Sequence, residues 1–146
     1  MKTSKEGINL VKAFEGFKAD AYKCPAGIWT IGYGHTGDVK QGDKVSEAYA
    51  TELLSKDLAS AEKTVNSLVG RPLAQCQFDA LVSFVYNCGP GNFKASTLLK
   101  KINADPNNFA EVRKQLLRWD KAAGKALAGL TRRRTAEADL YCKAAT

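Results

Sequence analysis

The chain has no run of about 18 apolar residues, so nothing in it reads as a membrane-spanning helix. Its opening, Met1-Lys2-Thr3-Ser4-Lys5-Glu6, lacks the apolar stretch of a signal peptide. Synthesis in the cytoplasm is expected. No CxxC pair and no Cys/His cluster is present, and only one histidine, which leaves little to build a zinc site from. No metal and no cofactor is expected. Repeats, low-complexity tracts and flexible linkers are missing too, which speaks against a disordered or modular protein.

What remains is the composition of an ordinary globular chain of 146 residues, 45% of them hydrophobic, enough for one core. A single domain over residues 1–146 is expected. Lys and Arg number 22 against 15 Asp and Glu, a net charge of +7. That favours a polyanionic partner by long-range attraction, without choosing between nucleic acid, anionic membrane and cell wall. The four cysteines are Cys24, Cys76, Cys88 and Cys142. Cys76 and Cys88 fall on one predicted helix, about 18 Å apart at 1.5 Å per residue, beyond disulfide reach. Reduced, buried thiols are expected.

Hydrophobic periodicity predicts a helix from Ser4 to about Lys18, with Ile8, Val11 and Glu15 in line on one face. Residues 22–45 are β-branched, aromatic and glycine-spaced, and predict a small antiparallel sheet. Ser46 caps the longest helix, Glu47 to Leu68. Helices then follow over Leu73–Cys88, Ser96–Ile102, a segment capped by Asp105 and opened by Pro106 that runs to about Lys121, and Thr131–Lys143. The expected fold is α+β, mainly α: a small lobe over about 1–45, a linking helix over about 46–69 and a helical lobe over about 70–146, with a ligand cleft between lobes.

A carboxylic acid on an apolar helical stripe can hold its proton to higher pH, which suits a general acid, whereas pairing with an arginine would serve structure alone. The residues around Glu15 decide between these. Glu15-Gly16-Phe17, Tyr22-Lys23-Cys24-Pro25-Ala26-Gly27 and Ile28-Trp29-Thr30-Ile31-Gly32-Tyr33-Gly34-His35-Thr36 resemble glycoside hydrolase family 24, the phage lysozymes. So do Gln77–Leu81, Phe84–Gly89 and Gly129-Leu130-Thr131-Arg132-Arg133-Arg134 with Glu137. The likeness covers nearly the whole chain.

The resemblance implies a lysozyme-like fold and a muramidase that cuts the β-1,4 bond between N-acetylmuramic acid and N-acetylglucosamine in bacterial peptidoglycan. Glu15, Cys24 and Thr30 fall on its catalytic positions, and Thr36 and Tyr86 on positions that contact substrate. Many relatives carry Asp where Cys24 stands, so two roles are open to the thiol: a thiolate opposite the sugar ring, or a group that holds water with Thr30. Stereochemistry is open for the same reason. His35 and Asp57 are expected to pair structurally, and Arg133 to reach Glu15, with Arg132 and Arg134 solvated. Asp20 is expected on the surface. Trp29, Tyr33, Tyr86 and Trp119 could line a sugar groove, Trp119 fitting the core better. The expected partner is peptidoglycan, reached in the periplasm after release, for a monomer without nucleic-acid binding or stable membrane insertion. Lytic transglycosylase and non-catalytic wall-binding module are the rival readings.

Overall fold

A computed structural model describes all residues, 1–146. The first helix, α1 (Lys5–Glu15), starts where the Ser4 hydroxyl accepts from the Gly7 amide at 3.4 Å. It stops three residues before the expected end. Gly16 takes φ +73°, a left-handed conformation that no side chain favours, and its amide closes on the Lys12 carbonyl at 3.0 Å. Glu15 is thereby the last helical residue. The chain turns at once into β1 (Lys18–Lys23), which pairs antiparallel with β2 (Trp29–Gly32), Tyr22 opposite Thr30 and Lys23 opposite Trp29. The sheet thus begins four residues earlier than its composition suggested, and residues past Gly32 add only isolated bridges, Asp20 to Lys44 and Ile31 to His35.

Helix α2 (Glu47–Leu68) is capped by Ser46, whose hydroxyl accepts from the Tyr49 amide at 3.1 Å. Its 22 residues span about 33 Å. One face buries Ala50, Leu54, Leu58, Ala61 and Val65, at i, i+4, i+8, i+11 and i+15. The apolar stripe therefore runs the whole length between the sheet and α3 (Gln75–Cys88). Helix α3 is the hub of the molecule: every residue from Gln77 to Val85 is buried, the mark of a helix enclosed on all sides. Its buried polar groups each find a partner, as burial demands. The Gln77 amide donates to the Pro106 carbonyl at 3.0 Å, and Asp79 accepts from the Ser4 amide at 3.0 Å and the Gln75 side chain at 2.8 Å. Asp79 ties α1 to α3, so the helix that ends in Glu15 is anchored at its other end.

Beyond Gly89 come α4 (Pro90–Ala95), α5 (Thr97–Ala104), α6 (Phe109–Leu117) and α7 (Ala128–Cys142), closed by a 3-10 turn, Lys143–Ala145. Helix α4 had no counterpart in the sequence pattern; Pro90 opens it, and it is too short to show a period. Asp105 and Pro106 do not start a helix. Asp105 accepts from the Asn107 amide at 2.9 Å in a local turn, and Asn108 caps α6 instead. That helix stops at Leu117, because residues 121–126 form a two-stranded ribbon, β3 (Lys121–Ala122) with β4 (Lys125–Ala126). Helix α7 begins three residues ahead of Thr131. The four thiols are half-buried rather than buried.

Candidate active site

Glu15, at the end of α1, faces α7 on one side and the β2–α2 connection on the other. Its Oε2 accepts from Arg133 Nη1 at 2.7 Å, with the Glu15 side chain 22% exposed and that of Arg133 5%. Its Oε1 points toward Gly34. A Cβ at position 34 would lie 3.1 Å from that oxygen and 3.6 Å from the Tyr86 hydroxyl, and φ there is +87°, so glycine is required on both counts. Glu15, Gly34, Thr36, Asp57, Tyr86 and Asn87 line a cleft of 430 Å³. A second hollow of 590 Å³ shares Glu15 and Asn87 with it and continues past Phe14, Leu127, Leu130 and Arg132. Glu15 stands where the two meet.

Arg133 is itself held. Its Nε faces Glu137 Oε2 at 3.4 Å, its Nη2 reaches the Ser83 carbonyl at 3.4 Å, and its guanidinium lies 5.8 Å from the Phe14 ring centroid. Glu137 is fully enclosed and also accepts from the Ser83 hydroxyl at 2.5 Å and pairs with Arg134 Nε at 2.7 Å. Burial pushes the Glu137 carboxyl above its usual range against the pull of Arg134, Ser83 and Arg133. Arg134 is not the solvated residue expected from sequence. It is wholly buried over the Phe84 ring, with Nη1 directed at Cys88 Sγ and Nη2 donating to Asn87 Oδ1 at 2.8 Å. The reason is the i, i+3 spacing to Glu137, which places both on the inward face of α7. The spacing shows that the two share a face, but only the packing of α7 against α3 turns that face inward.

Cys24 and Thr30 sit together on the β1–β2 hairpin. The Cys24 amide donates to the Ile28 carbonyl at 2.9 Å, and the Gly27 amide to the Cys24 carbonyl at 2.8 Å, closing the turn. Thr30 is 4% exposed, and its hydroxyl donates to the Ile28 carbonyl at 3.0 Å. Hydrogen bonding from the Ile28 backbone first, then from Ala26 and Thr30, holds the thiol below its usual range against the opposing effect of burial. Neither residue lines the two hollows around Glu15.

His35 Nδ1 meets Asp57 Oδ2 at 2.8 Å, while Nε2 faces the Gly37 carbonyl at 3.0 Å. Both ring nitrogens thus have an acceptor, and the pair joins the β2 end to α2. Asp57 also lines the cleft, as do Gly34 and Asn87, none of which was assigned to the cleft from sequence. The sequence held a hint for two of them: Asn87 follows Tyr86, and Gly34 belongs to the glycine-spaced run, where a glycine can mark close approach of another group. The Tyr86 hydroxyl reaches the Tyr33 carbonyl at 3.4 Å, and burial first, then Glu15 and Asp57, push its titration up. Tyr33 does not line the groove; it is 8% exposed, and its hydroxyl donates to Glu47 at 2.7 Å. Trp119 packs edge-on to Phe84 at 5.5 Å, and Trp29 lies under Lys23 on the hairpin. Asp20 is exposed, paired with Lys44 at 3.2 Å. No three His, Cys, Asp or Glu side chains converge as a metal site, and no helix is long and apolar enough to cross a membrane.

The chain as a whole is similar to known proteins. The phage lysozyme family model matches residues 12–137. The endolysin of Bacillus phage B103 is 44% identical over 97% of this chain, which spans 54% of that protein's length. The endolysin of Acyrthosiphon pisum secondary endosymbiont phage 1 is 39% identical over 97% of this chain and 98% of its own. Among solved structures, the muramidase domain of SpmX from Asticaccaulis excentricus shows 40% identity and a TM-score of 0.89, covering 96% of this chain and 97% of that one. A P22 lysozyme mutant shows 36% identity and a TM-score of 0.89, with 97% and 98% covered. With a Glu at the end of the first helix held by an Arg of the last one beside a cleft, this chain belongs to the phage lysozyme family.

Proposed function

We propose that the protein is an endolysin, a glycoside hydrolase that cuts the β-1,4 bond between N-acetylmuramic acid and N-acetylglucosamine in bacterial peptidoglycan. The observation that carries this is the division of labour at Glu15. One carboxyl oxygen is tied to Arg133 and the other faces the cleft beside Gly34. Oε1 is the atom that delivers a proton to the bridging oxygen as the sugar C1–O bond breaks, and Arg133 then steadies the carboxylate left behind. Water adds to C1. Cys24 and Thr30 hold that water, the thiol on one side and the Thr30 hydroxyl oxygen as an acceptor, since its own proton goes to the Ile28 carbonyl. Thr36 and Tyr86 bind the sugar from the cleft wall, and His35 with Asp57 keeps that wall in place. No cofactor takes part. The protein acts as a monomer on the wall in the periplasm, after release from the cytoplasm in which it is made. The relatives named endolysin and muramidase support the same reading.

Reducing-end release from purified peptidoglycan tests it. Glu15→Gln keeps an acceptor for Arg133 but has no proton to give, so the rate should fall by about 10²- to 10⁴-fold with the fold intact. A Gln variant as active as wild type would remove Glu15 from the chemistry. Anhydro sugar ends in the wild-type digest would replace hydrolysis by transglycosylation.

A further inference from the structure

The positive charge of this chain is unevenly spread. Residues 89–126 carry eight of the 22 Lys and Arg but only three of the 15 acidic residues, which places +5 of the +7 on about a quarter of the sequence. Part of that charge converges in the groove between α5 and α6. Glu111 on α6 faces Lys101 of α5 at 3.9 Å, and Lys114 and Arg118 of its own helix also act on it. The Gln115 amide first, then these three cations, hold the Glu111 carboxyl below its usual range. One carboxylate among three cations leaves an excess of two. The nearest partner of the Arg118 guanidinium is Gln115 Oε1 at 3.5 Å, so most of its donors remain free. A hollow of 310 Å³ lined by Thr97, Gln115, Arg118 and Trp119 opens beside them. It shares no residue with the hollows around Glu15.

We propose that the α5–α6 groove, through Lys101, Lys114, Arg118 and the Trp119 wall, docks a phosphate-rich anionic polymer of the cell envelope, separately from the glycan bound at Glu15. The cations are spread over two helices rather than gathered in a buried pocket, which suits a chain of spaced charges better than a single small anion. A bilayer is the poorer fit. The exposed large apolar residues are Met1, Phe17, Tyr22, Ile28, Tyr49 and Leu127, and none lies on α4, α5 or α6, so this face has nothing to insert among acyl chains. Docking would hold the enzyme on the envelope while the cleft works on the glycan.

The test is calorimetric titration of the full chain with sodium polyphosphate over a series of salt concentrations. Lys114→Gln with Arg118→Gln should weaken binding about tenfold and lower the salt slope by about 1 to 2, as expected when two charge contacts are lost. Lys2→Gln with Lys63→Gln removes the same charge from exposed positions elsewhere and should change affinity less than twofold. Glu111→Gln should tighten it. Equal losses in the two double variants would show diffuse attraction and overturn the groove. Binding to vesicles with anionic headgroups as tight as to polyphosphate would overturn the choice of partner. The proposal stands apart from the catalytic one: reducing-end release from polymer-free peptidoglycan by Lys114→Gln/Arg118→Gln should match wild type whichever way the titration turns out.

Discussion

Gly34 separates the cost of backbone strain from the cost of displacing Glu15, because another glycine, Gly42, has nearly the same φ but no neighbour. Gly34 sits at φ +87° and Gly42 at φ +89°; nothing lies within 4 Å of a Cβ at 42, whereas at 34 it would meet Glu15 Oε1 at 3.1 Å. Alanine in the left-handed region costs about 1–2 kcal/mol. At about 2–4 °C per kcal/mol for a chain of this size, both Gly34→Ala and Gly42→Ala should melt about 2–8 °C below wild type. Only Gly34→Ala should lose activity beyond that. A contact of 3.1 Å forces the carboxyl oxygen aside by a few tenths of an ångström. Since a 1 Å misplacement of a reacting group costs about 10²-fold, the expected loss is about five- to tenfold. Thermal melts and reducing-end release at 25 °C, well below either transition, measure the two effects independently. If Gly34→Ala is as active as Gly42→Ala, then Oε1 is not the atom presented to substrate, and the assignment of the two carboxyl oxygens fails.

Two other expectations follow from the hairpin and from the α1–α2 contact. If Cys24 holds water with Thr30, Cys24→Ser should keep a measurable fraction of wall-lysing activity while Cys24→Ala loses it; equal loss in both would assign the thiolate role instead, and Asp20→Asn, altering an exposed carboxylate, should behave as wild type. Glu47 is held down to about 2, by the Tyr33 hydroxyl first and then by Thr51 and Lys12, against an ordinary value of 4.5. Its stabilisation is therefore fully present above about pH 4.5 and lost as pH falls toward 2. Tyr33, pushed to about 12 chiefly by burial, acts at the other end, its share present below pH 10 and lost as pH rises through 12. The Glu47 side chain is 55% exposed, so solvent screens the pair and the amplitude is modest. Melting temperature followed from pH 2 to 5 should fall less steeply in Glu47→Gln than in wild type, and parallel curves would remove the pair from the acid response.

Local signals carried much of this protein. Ser46 announced its helix because a hydroxyl at an N-cap acts on amides two or three residues away, and the stripe from Ala50 to Val65 shows its period in the chain itself. The spacing from Glu15 to Cys24 to Thr30 was likewise visible in one line of sequence. Pattern failed where a single backbone torsion or a distant partner intervened. Gly16 ended α1 early, Asn108 rather than Asp105 capped α6, and the ribbon at 121–126 is too short to alternate visibly. Tertiary structure alone decided that Arg134 is enclosed, that Tyr33 turns away from the groove, and that Glu15 gives one oxygen to an arginine 118 positions along the chain while the other meets the cleft. The physical reason is range. Caps and periodicity act within a helical turn or two, but whether a charge is buried, and against what, is set by elements that meet only once the core around α3 has closed.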